Sequence, residues 1–348
     1  MKFHELQVQS ITKLTKESVR IDFKVPEELK PEFKFKAGQY ITIDMDGQRR
    51  DYSLCSSPLD DKWSVGIKSV KDGYVSKFLN SHLKEGDFLK VSAPKGKFGI
   101  KSEPDKKRTV LAFAAGSGIT PVLSILRYTL QTEKEVLLNL FYCNRTPKET
   151  MFKEEIDQLK EQYPINFFPH WFFTRHKQEN PLYEGRLNAE KINRILNILV
   201  KINEIDEVLV CGPDGMIREI TDEFIKAGLS ENQVYFELFT PPVSAAAAET
   251  VEQLESEVDV TVELDGDVYN FKWDGKKSLL DAALDEGIDA PYSCKGGICS
   301  SCMCRLEEGE VNLGENFVLT DQDIEEGIIV ACCSGPKSNK IKINFDDI

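Results

Sequence analysis

The stretch Cys294-Lys295-Gly296-Gly297-Ile298-Cys299-Ser300-Ser301-Cys302 decides how this chain is read. Its cysteines are spaced C-x4-C-x2-C, and the pair Cys332-Cys333 follows after an interval of 29 residues. Four soft thiolates at this spacing hold two sulfide-bridged irons, a [2Fe–2S] cluster. Gly296 and Gly297 allow the backbone to wrap closely around an inorganic core. The fourth ligand is Cys332 or Cys333. Cys332 is preferred because it directly follows the apolar run Ile328-Ile329-Val330-Ala331, which reads as a buried strand. Structural zinc usually takes two close C-x2-C pairs, and here a single one sits beside a C-x4-C. Disulfides require an oxidising compartment; with no export signal evident, a cytoplasmic location with reduced thiols is expected. Cys304 and Cys333 read as small core residues beside the ligands.

Outward from the motif, Val258, Val260, Val262 and Leu264 alternate as a half-buried strand. Asp265-Gly266 signals a hairpin turn, and Tyr269, Phe271 and Trp273 alternate on the return strand. Ser278 is suited to cap a short helix, Leu279 to Glu286, with Asp281 at its third position and Gly287 ending it. Residues 257–348 resemble a plant-type ferredoxin of β-grasp fold, and the interval from Cys302 to Cys332 is similar to that family's.

A length of 348 residues predicts two or three domains. No apolar run is long enough to span a membrane; Val110 to Leu126 is broken by Gly116, Ser117, Gly118 and Pro121 and reads as strand, turn and helix. The net charge of −14 is unevenly placed. Residues 257–348 hold 20 acids and 8 bases, whereas residues 1–240 are near neutral. An acidic end on a neutral body argues against nucleic-acid binding and for docking on a basic partner, although net charge also serves solubility. Residues 241–256, rich in Pro and Ala and then acidic, read as a linker.

Residues 6–100 carry short strand-like segments such as Tyr40 to Ile43 and Trp63 to Ile67, with turn signals such as Asp46-Gly47, as in a small antiparallel barrel. Within them lies Arg50-Asp51-Tyr52-Ser53-Leu54. A guanidinium can pair with a pyrophosphate, a tyrosine ring can stack on a flat heterocycle, and a hydroxyl can both donate and accept at a ring nitrogen. Gly73-Tyr74-Val75-Ser76 then opens a helix that Ser76 can cap, and Ala93-Pro94-Lys95-Gly96-Lys97-Phe98-Gly99 follows. In this order the segments resemble the FAD barrel of the ferredoxin-NADP reductase superfamily. The resemblance implies Arg50 on the FAD phosphates, Tyr52 on the isoalloxazine, Ser53 near its N5, and Gly73, Val75 and Ser76 around the pyrophosphate.

From Arg108 strands and helices alternate. The buried-strand run Thr109 to Ala114 leads into Ala115-Gly116-Ser117-Gly118-Ile119-Thr120-Pro121 and a helix, Val122 to Leu130. Its glycines would let a dinucleotide approach the backbone at a helix N-terminus, although the strict G-x-G-x-x-G fingerprint is absent. Further strands are expected at Val136 to Tyr142, Asn166 to Phe173 and Glu207 to Cys211. The Gly116–Thr120 turn and Cys211-Gly212-Pro213-Asp214-Gly215-Met216 both resemble motifs of the same superfamily, which implies a nucleotide role for Gly116, Gly118, Thr120, Gly212 and Pro213. It also implies Cys211 near the nicotinamide carbon that gives up hydride. Thr174-Arg175, helped by Asn144-Arg145, suits a 2′-phosphate and favours NADPH over NADH. Tyr235-Phe236-Glu237-Leu238-Phe239 resembles the superfamily's E-x-F element, with Glu237 as a proton relay and Phe239 covering the flavin; a buried final strand is the simpler alternative.

The fold class expected is multidomain: an antiparallel β-barrel FAD domain (1–105), an α/β nucleotide-binding domain (106–240), the linker, and a β-grasp ferredoxin domain (257–348). That order resembles reductase components of oxygenase systems, nearest to the phenylacetyl-CoA epoxidase reductase family. It implies electron flow from NADPH (NADH is possible) to FAD, then to the cluster at Cys294, Cys299, Cys302 and Cys332, then to a partner oxygenase, with Ser53, Cys211 and Glu237 at the reacting centre. A stand-alone ferredoxin or flavodoxin reductase, the reductase of another oxygenase, and a redox-sensing module remain alternatives.

Overall fold

The computed structural model describes residues 1–239 and 257–348; the linker assigned to 241–256 lies outside the described residues. The chain divides into two compact units, Phe3–Phe239 and a C-terminal unit that includes residues 257–348.

The first unit begins with six antiparallel strands: β1 (Phe3–Thr15), β2 (Ser18–Lys24), β3 (Tyr40–Met45), β4 (Gln48–Ser53), β5 (Trp63–Lys68) and β6 (Phe88–Ser92). Their order is β4-β3-β6-β1-β2-β5. Leu54, just past β4, bridges Val65 on β5, so the two ends of the sheet meet and a barrel closes. Asp46 (φ 53°) and Gly47 (φ 79°) both take the positive φ that a two-residue hairpin between β3 and β4 needs. Ile21, Ile43, Leu54, Val65 and Val91 are fully buried inside. Each such side chain stabilises the fold by roughly 1.5–3 kcal/mol relative to exposure. Helix α1 (Tyr74–Ser81) packs on β5, with Val75 and Leu79 inward.

Next comes a parallel sheet of β7 (Arg108–Ala115), β8 (Val136–Asn144), β9 (Phe167–Phe173), β10 (Glu207–Gly212) and β11 (Val234–Leu238), in the order β11-β10-β7-β8-β9. The helices are α2 (Ile119–Thr132), α3 (Lys153–Gln162), α4 (Ala189–Ile198) and α5 (Asp214–Lys226). Strand order reverses between β7 and β10, which makes their C-terminal ends the switch point where doubly wound sheets bind ligands. The barrel interior is a buried cluster of its own, while Cys55 and Phe98, which follow β4 and β6, pack into the cluster of α2 and β7. At the N-terminal end of β7, buried Arg108 donates to both carboxylate oxygens of buried Glu133 (2.6 and 2.9 Å) and to the Lys101 carbonyl (2.9 Å), and it also pairs with Glu207. Removing one partner of such a buried pair costs about 3–5 kcal/mol.

The second unit is a mixed sheet in which β12 (Val258–Leu264), β13 (Asp267–Trp273), β14 (Met303–Glu308), β16 (Ile328–Val330) and β18 (Lys340–Asn344) are ordered β13-β12-β18-β14-β16. A small ladder joins β15 (Val311–Leu313) to β17 (Ser334–Pro336). Helix α6 (Leu279–Asp285) starts at Ser278, whose side chain accepts from the Asp281 amide, and Gly287 (φ 79°) follows its end. A second short helix, α7 (Asp321–Glu325), opens on a capping box from Thr320 and Asp323. One local expectation is corrected here: Ala331 leaves the β16 strand and starts a 3-10 turn through Cys333.

Candidate active site and cluster site

On the flavin side, β4 carries Arg50, Tyr52 and Ser53. Its two arginines divide their work. Arg49 is buried, lies 5.1 Å from the Phe3 ring centre and pairs with Asp44 (3.2 Å), whereas Arg50 is exposed. Tyr52 is half-buried, and that burial raises its hydroxyl above the ordinary 10. Helix α1 starts at Gly73, which provides no side-chain cap. Ser76 is not the cap expected from the sequence. It sits inside the first turn, its Oγ accepting from the Val70 amide (3.2 Å) and donating to the Gly73 carbonyl (3.3 Å). A β-carbon on Gly73 would lie 2.6 Å from that Oγ and 2.4 Å from Val70 Cγ2, so this cradle is closed to any larger residue. Without a side-chain cap, the first-turn amides, Val75 included, are suited to phosphate oxygens, and the residues present fit FAD.

On the nucleotide side, Gly116, Gly118 and Thr120 form the turn between β7 and α2, again without a side-chain cap. A β-carbon on Gly118 would meet the Cys211 carbonyl oxygen at 2.2 Å, so glycine alone lets this turn reach the end of β10. Thr120 donates to the Ser117 carbonyl (3.0 Å), and the Tyr142 hydroxyl holds the Gly116 carbonyl at 2.7 Å. Tyr142 was not identified from the sequence, because an aromatic residue on a buried strand reads as core. Gly212 and Pro213 lead from β10 into α5, a third helix start without a side-chain cap. Thr174 and Arg175 are exposed at the end of β9, two strands from β7; their amides bond the Asn144 and Arg145 carbonyls at 2.9 and 2.8 Å. The Asn144 side chain is buried within reach of the Tyr142 hydroxyl.

The two sides meet at Ser53 and Glu237. Ser53 Oγ donates to Glu237 Oε2 at 3.3 Å, joining the barrel to β11 across 184 residues of sequence. Cys211 pairs with Glu237 in the parallel ladder between β10 and β11. It is fully buried, and burial first, with the Glu237 charge second, pushes its thiol well above the usual 9. Ser53, Cys211 and Glu237 are thus brought to one place. Phe239, just beyond β11, remains 39% exposed.

In the C-terminal unit, Cys294 lies within hydrogen-bonding range of Cys299 and Cys332, and Cys302 within range of Cys332. Cys333 Sγ stands 3.6 Å from Cys332 Sγ and 2.8 Å from where a β-carbon on Gly297 would be. The Gly296 amide donates to Cys294 Sγ at 3.4 Å. The left-handed positions of the loop are Lys295 (φ 52°) and Gly297 (φ 70°). Lys295 is held there by Asp281 (2.9 Å) and by the Tyr292 ring (4.7 Å). Cys304 is fully buried in the core of this unit, as its sequence reading has it. Among the described residues no three His, Cys, Asp or Glu side chains close around a point as they would for a single metal ion. Two irons need a wider cage than one zinc ion with its ~2.3 Å sulfur bonds. Four converging thiols with an amide aimed at one of them fit such a cluster.

Three families match in chain order: oxidoreductase FAD-binding domain over residues 5–100, oxidoreductase NAD-binding domain over 113–222, and 2Fe-2S iron-sulfur cluster binding domain over 262–337. The chain is 33% identical to a component protein of the 1,2-phenylacetyl-CoA epoxidase of Escherichia coli, covering 99% of this chain and 98% of that one. The chain belongs to the ferredoxin-NADP reductase superfamily, in the branch that carries a [2Fe–2S] ferredoxin domain. The ferredoxin reductase component of 3-ketosteroid-9-alpha-monooxygenase from Rhodococcus rhodochrous is 34% identical over 98% of this chain and 96% of its own. Phthalate dioxygenase reductase shares the fold, with TM-score 0.58, 22% identity, and 99% and 98% of the two chains covered. This member of the superfamily is an oxidoreductase that uses FAD, a pyridine nucleotide and a [2Fe–2S] cluster, an electron-transfer reductase component of the oxygenase-system type. Among the described residues no helix is long and apolar enough to cross a membrane.

Proposed function

We propose that this reductase draws electrons from NADPH and delivers them to the oxygenase component of a phenylacetyl-CoA epoxidase system in the cytoplasm. The observation that supports the catalytic part is the Ser53–Glu237 hydrogen bond of 3.3 Å, which joins β4 of the barrel to β11 of the parallel sheet. Bound FAD would take electrons in pairs from the nucleotide and release them one at a time to the cluster, chemistry that belongs to the cofactors. The chain's own residues bind, orient and move protons. Arg50 would hold phosphate, Tyr52 would cover one face of the ring, and the amides opening α1 would take the pyrophosphate. Ser53 would present its hydroxyl to the ring edge and exchange a proton through Glu237 toward solvent. Cys211, a neutral buried thiol, would press on the nicotinamide without contributing a charge. Arg175, Thr174 and Asn144 would take the 2′-phosphate end. Cys294, Cys299, Cys302 and Cys332 would hold the cluster, Cys332 being chosen over Cys333 because it is the one within reach of both Cys294 and Cys302.

The identity to the Escherichia coli epoxidase component supports the choice of partner. The test is an anaerobic NADPH titration followed by visible absorption and electron paramagnetic resonance, on the wild type and on Cys299→Ser. The wild type is expected to bleach flavin and cluster together, and the variant to lose the cluster signal while its flavin still bleaches. Flavin that stays oxidised in both proteins defeats the reading. Faster turnover with a steroid monooxygenase than with the epoxidase oxygenase defeats the choice of partner alone.

A further inference from the structure

Phe152, the residue that precedes α3, has φ 58° and ψ 20°, a left-handed conformation. A bulky side chain rarely adopts it. Local chemistry does not account for it, because Phe152 gives α3 no side-chain cap, and it is only 2% exposed. Strain of this kind persists where the surroundings over-determine it.

One side of those surroundings is the buried cluster of α2, β7 and β8; the other lies on the barrel. A β-carbon on Gly66 of β5 would stand 2.7 Å from Phe152 Cζ, 2.8 Å from Phe152 Cε2 and 2.7 Å from Thr120 Cγ2. The ring and the threonine methyl are therefore seated together on bare strand backbone. Directly across the ladder, Gly66 pairs with Arg20 on β2. Arg20 donates to Glu155 Oε1 at 2.9 Å, and Arg127 of α2 pairs with the other oxygen of that carboxylate. Phe152 and Glu155, neighbours across the first turn of α3, thus grip one cross-strand pair of the barrel. Thr120 and Arg127 tie α2 to the same spot, and α2 is the helix that opens with the Gly116–Thr120 turn.

We propose that Phe152, seated on Gly66, is a positioning residue for reduction of the flavin: it fixes the dinucleotide turn against the barrel so that Cys211 and Ser53 face the same point. The proposal rests on the nucleotide-binding reading of that turn. It accounts for both oddities at once. The ring reaches the barrel only if the chain reverses sharply before α3, and a side chain at position 66 would wedge the barrel and the parallel sheet apart. Misplacement by about 1 Å at a reacting centre is enough to cost on the order of a hundredfold in rate.

The experiment uses the full-length holoprotein with Gly66→Ala, Phe152→Leu and Glu155→Gln. Stopped-flow reduction by NADPH is expected to show a limiting rate lower by about tenfold in the first two variants and by a smaller factor in the third, with NADP+ affinity by calorimetry changed less than about threefold. Amide hydrogen exchange across 116–120 is expected to speed up, and the long-wavelength absorbance of nicotinamide stacked on flavin to weaken. Glu155→Gln keeps the side-chain shape and guards against misfolding of the others. Wild-type limiting rate and wild-type exchange in Phe152→Leu and Glu155→Gln overturn the proposal. Failure of the wild type itself to be reduced by NADPH strikes at the nucleotide reading instead.

Discussion

Gly297 is a position where one methyl group decides an outcome. A β-carbon there would stand 2.8 Å from Cys333 Sγ and 2.9 Å from the Glu315 carbonyl oxygen, and φ is already 70°. Gly297→Ala must therefore either move the cysteine pair or open the loop. The expected result is iron content per chain reduced several-fold with FAD content unchanged, read by metal analysis and flavin absorbance; full iron loading would mean that the loop yields without cost. Arg175 tests specificity at the same scale. It is exposed at the end of β9, where a guanidinium can pair with a 2′-phosphate that NADH lacks. Arg175→Ala is expected to raise the Michaelis constant for NADPH about tenfold, the worth of one charge-assisted contact, while leaving that for NADH nearly unchanged. Equal effects on both nucleotides would place the 2′-phosphate elsewhere.

Among the elements, β9 carries a half-buried titratable group outside the proposed chemistry. His170 stacks on Phe141 (4.6 Å) and on Tyr183 (6.1 Å), and its Nε2 meets Asn139 Oδ1 at 3.1 Å. Burial, with a smaller contribution from Lys160, lowers its pKa from 6.5 to about 4. The folded state therefore resists a proton that the unfolded chain accepts. Stability is full above about pH 6.5, falls as pH drops toward about 4, and stops falling below that, for a total of ~3 kcal/mol from this group. His170→Phe is expected to flatten this limb of a melting-temperature profile; an unchanged acid limb would show that carboxylates alone set it. Helix starts show what local sequence can and cannot specify. Ser278 caps α6 as its position implies, whereas Ser76, equally polar and equally near a helix start, lies inside α1 and braces the Val70–Gly73 turn. Both fit the local pattern, and only the path of the preceding loop separates them.

For the whole molecule, charge is the property that matters most. The C-terminal 92 residues hold 20 acids against 8 bases, while residues 1–240 are near neutral. On the proposed docking role, the acidic unit would meet its acceptor through long-range attraction, which salt screens, whereas flavin reduction by a small nucleotide would depend on contacts inside the first unit. Raising ionic strength from about 0.05 to 0.5 M is expected to slow acceptor reduction by about tenfold and flavin reduction by less than about twofold. Equal salt sensitivity of the two steps, measured by stopped flow, would remove the docking role of the acidic surface.

The cluster spacing, the β-rich and α/β halves in their order, and the glycine turns are legible along the chain, because these depend on short-range chemistry: thiol intervals, side-chain periodicity and positive φ. Alternation at Val258 to Leu264 and the run Thr109 to Ala114 state their burial outright. Folding alone brings Ser53 to Glu237 across 184 residues, leaves Gly118 no room for a β-carbon beside the Cys211 carbonyl, and seats a left-handed Phe152 on Gly66. Each of these is a contact between elements far apart in the chain, set by closure of the barrel and by the strand order of the parallel sheet, and no local pattern of residues carries that information.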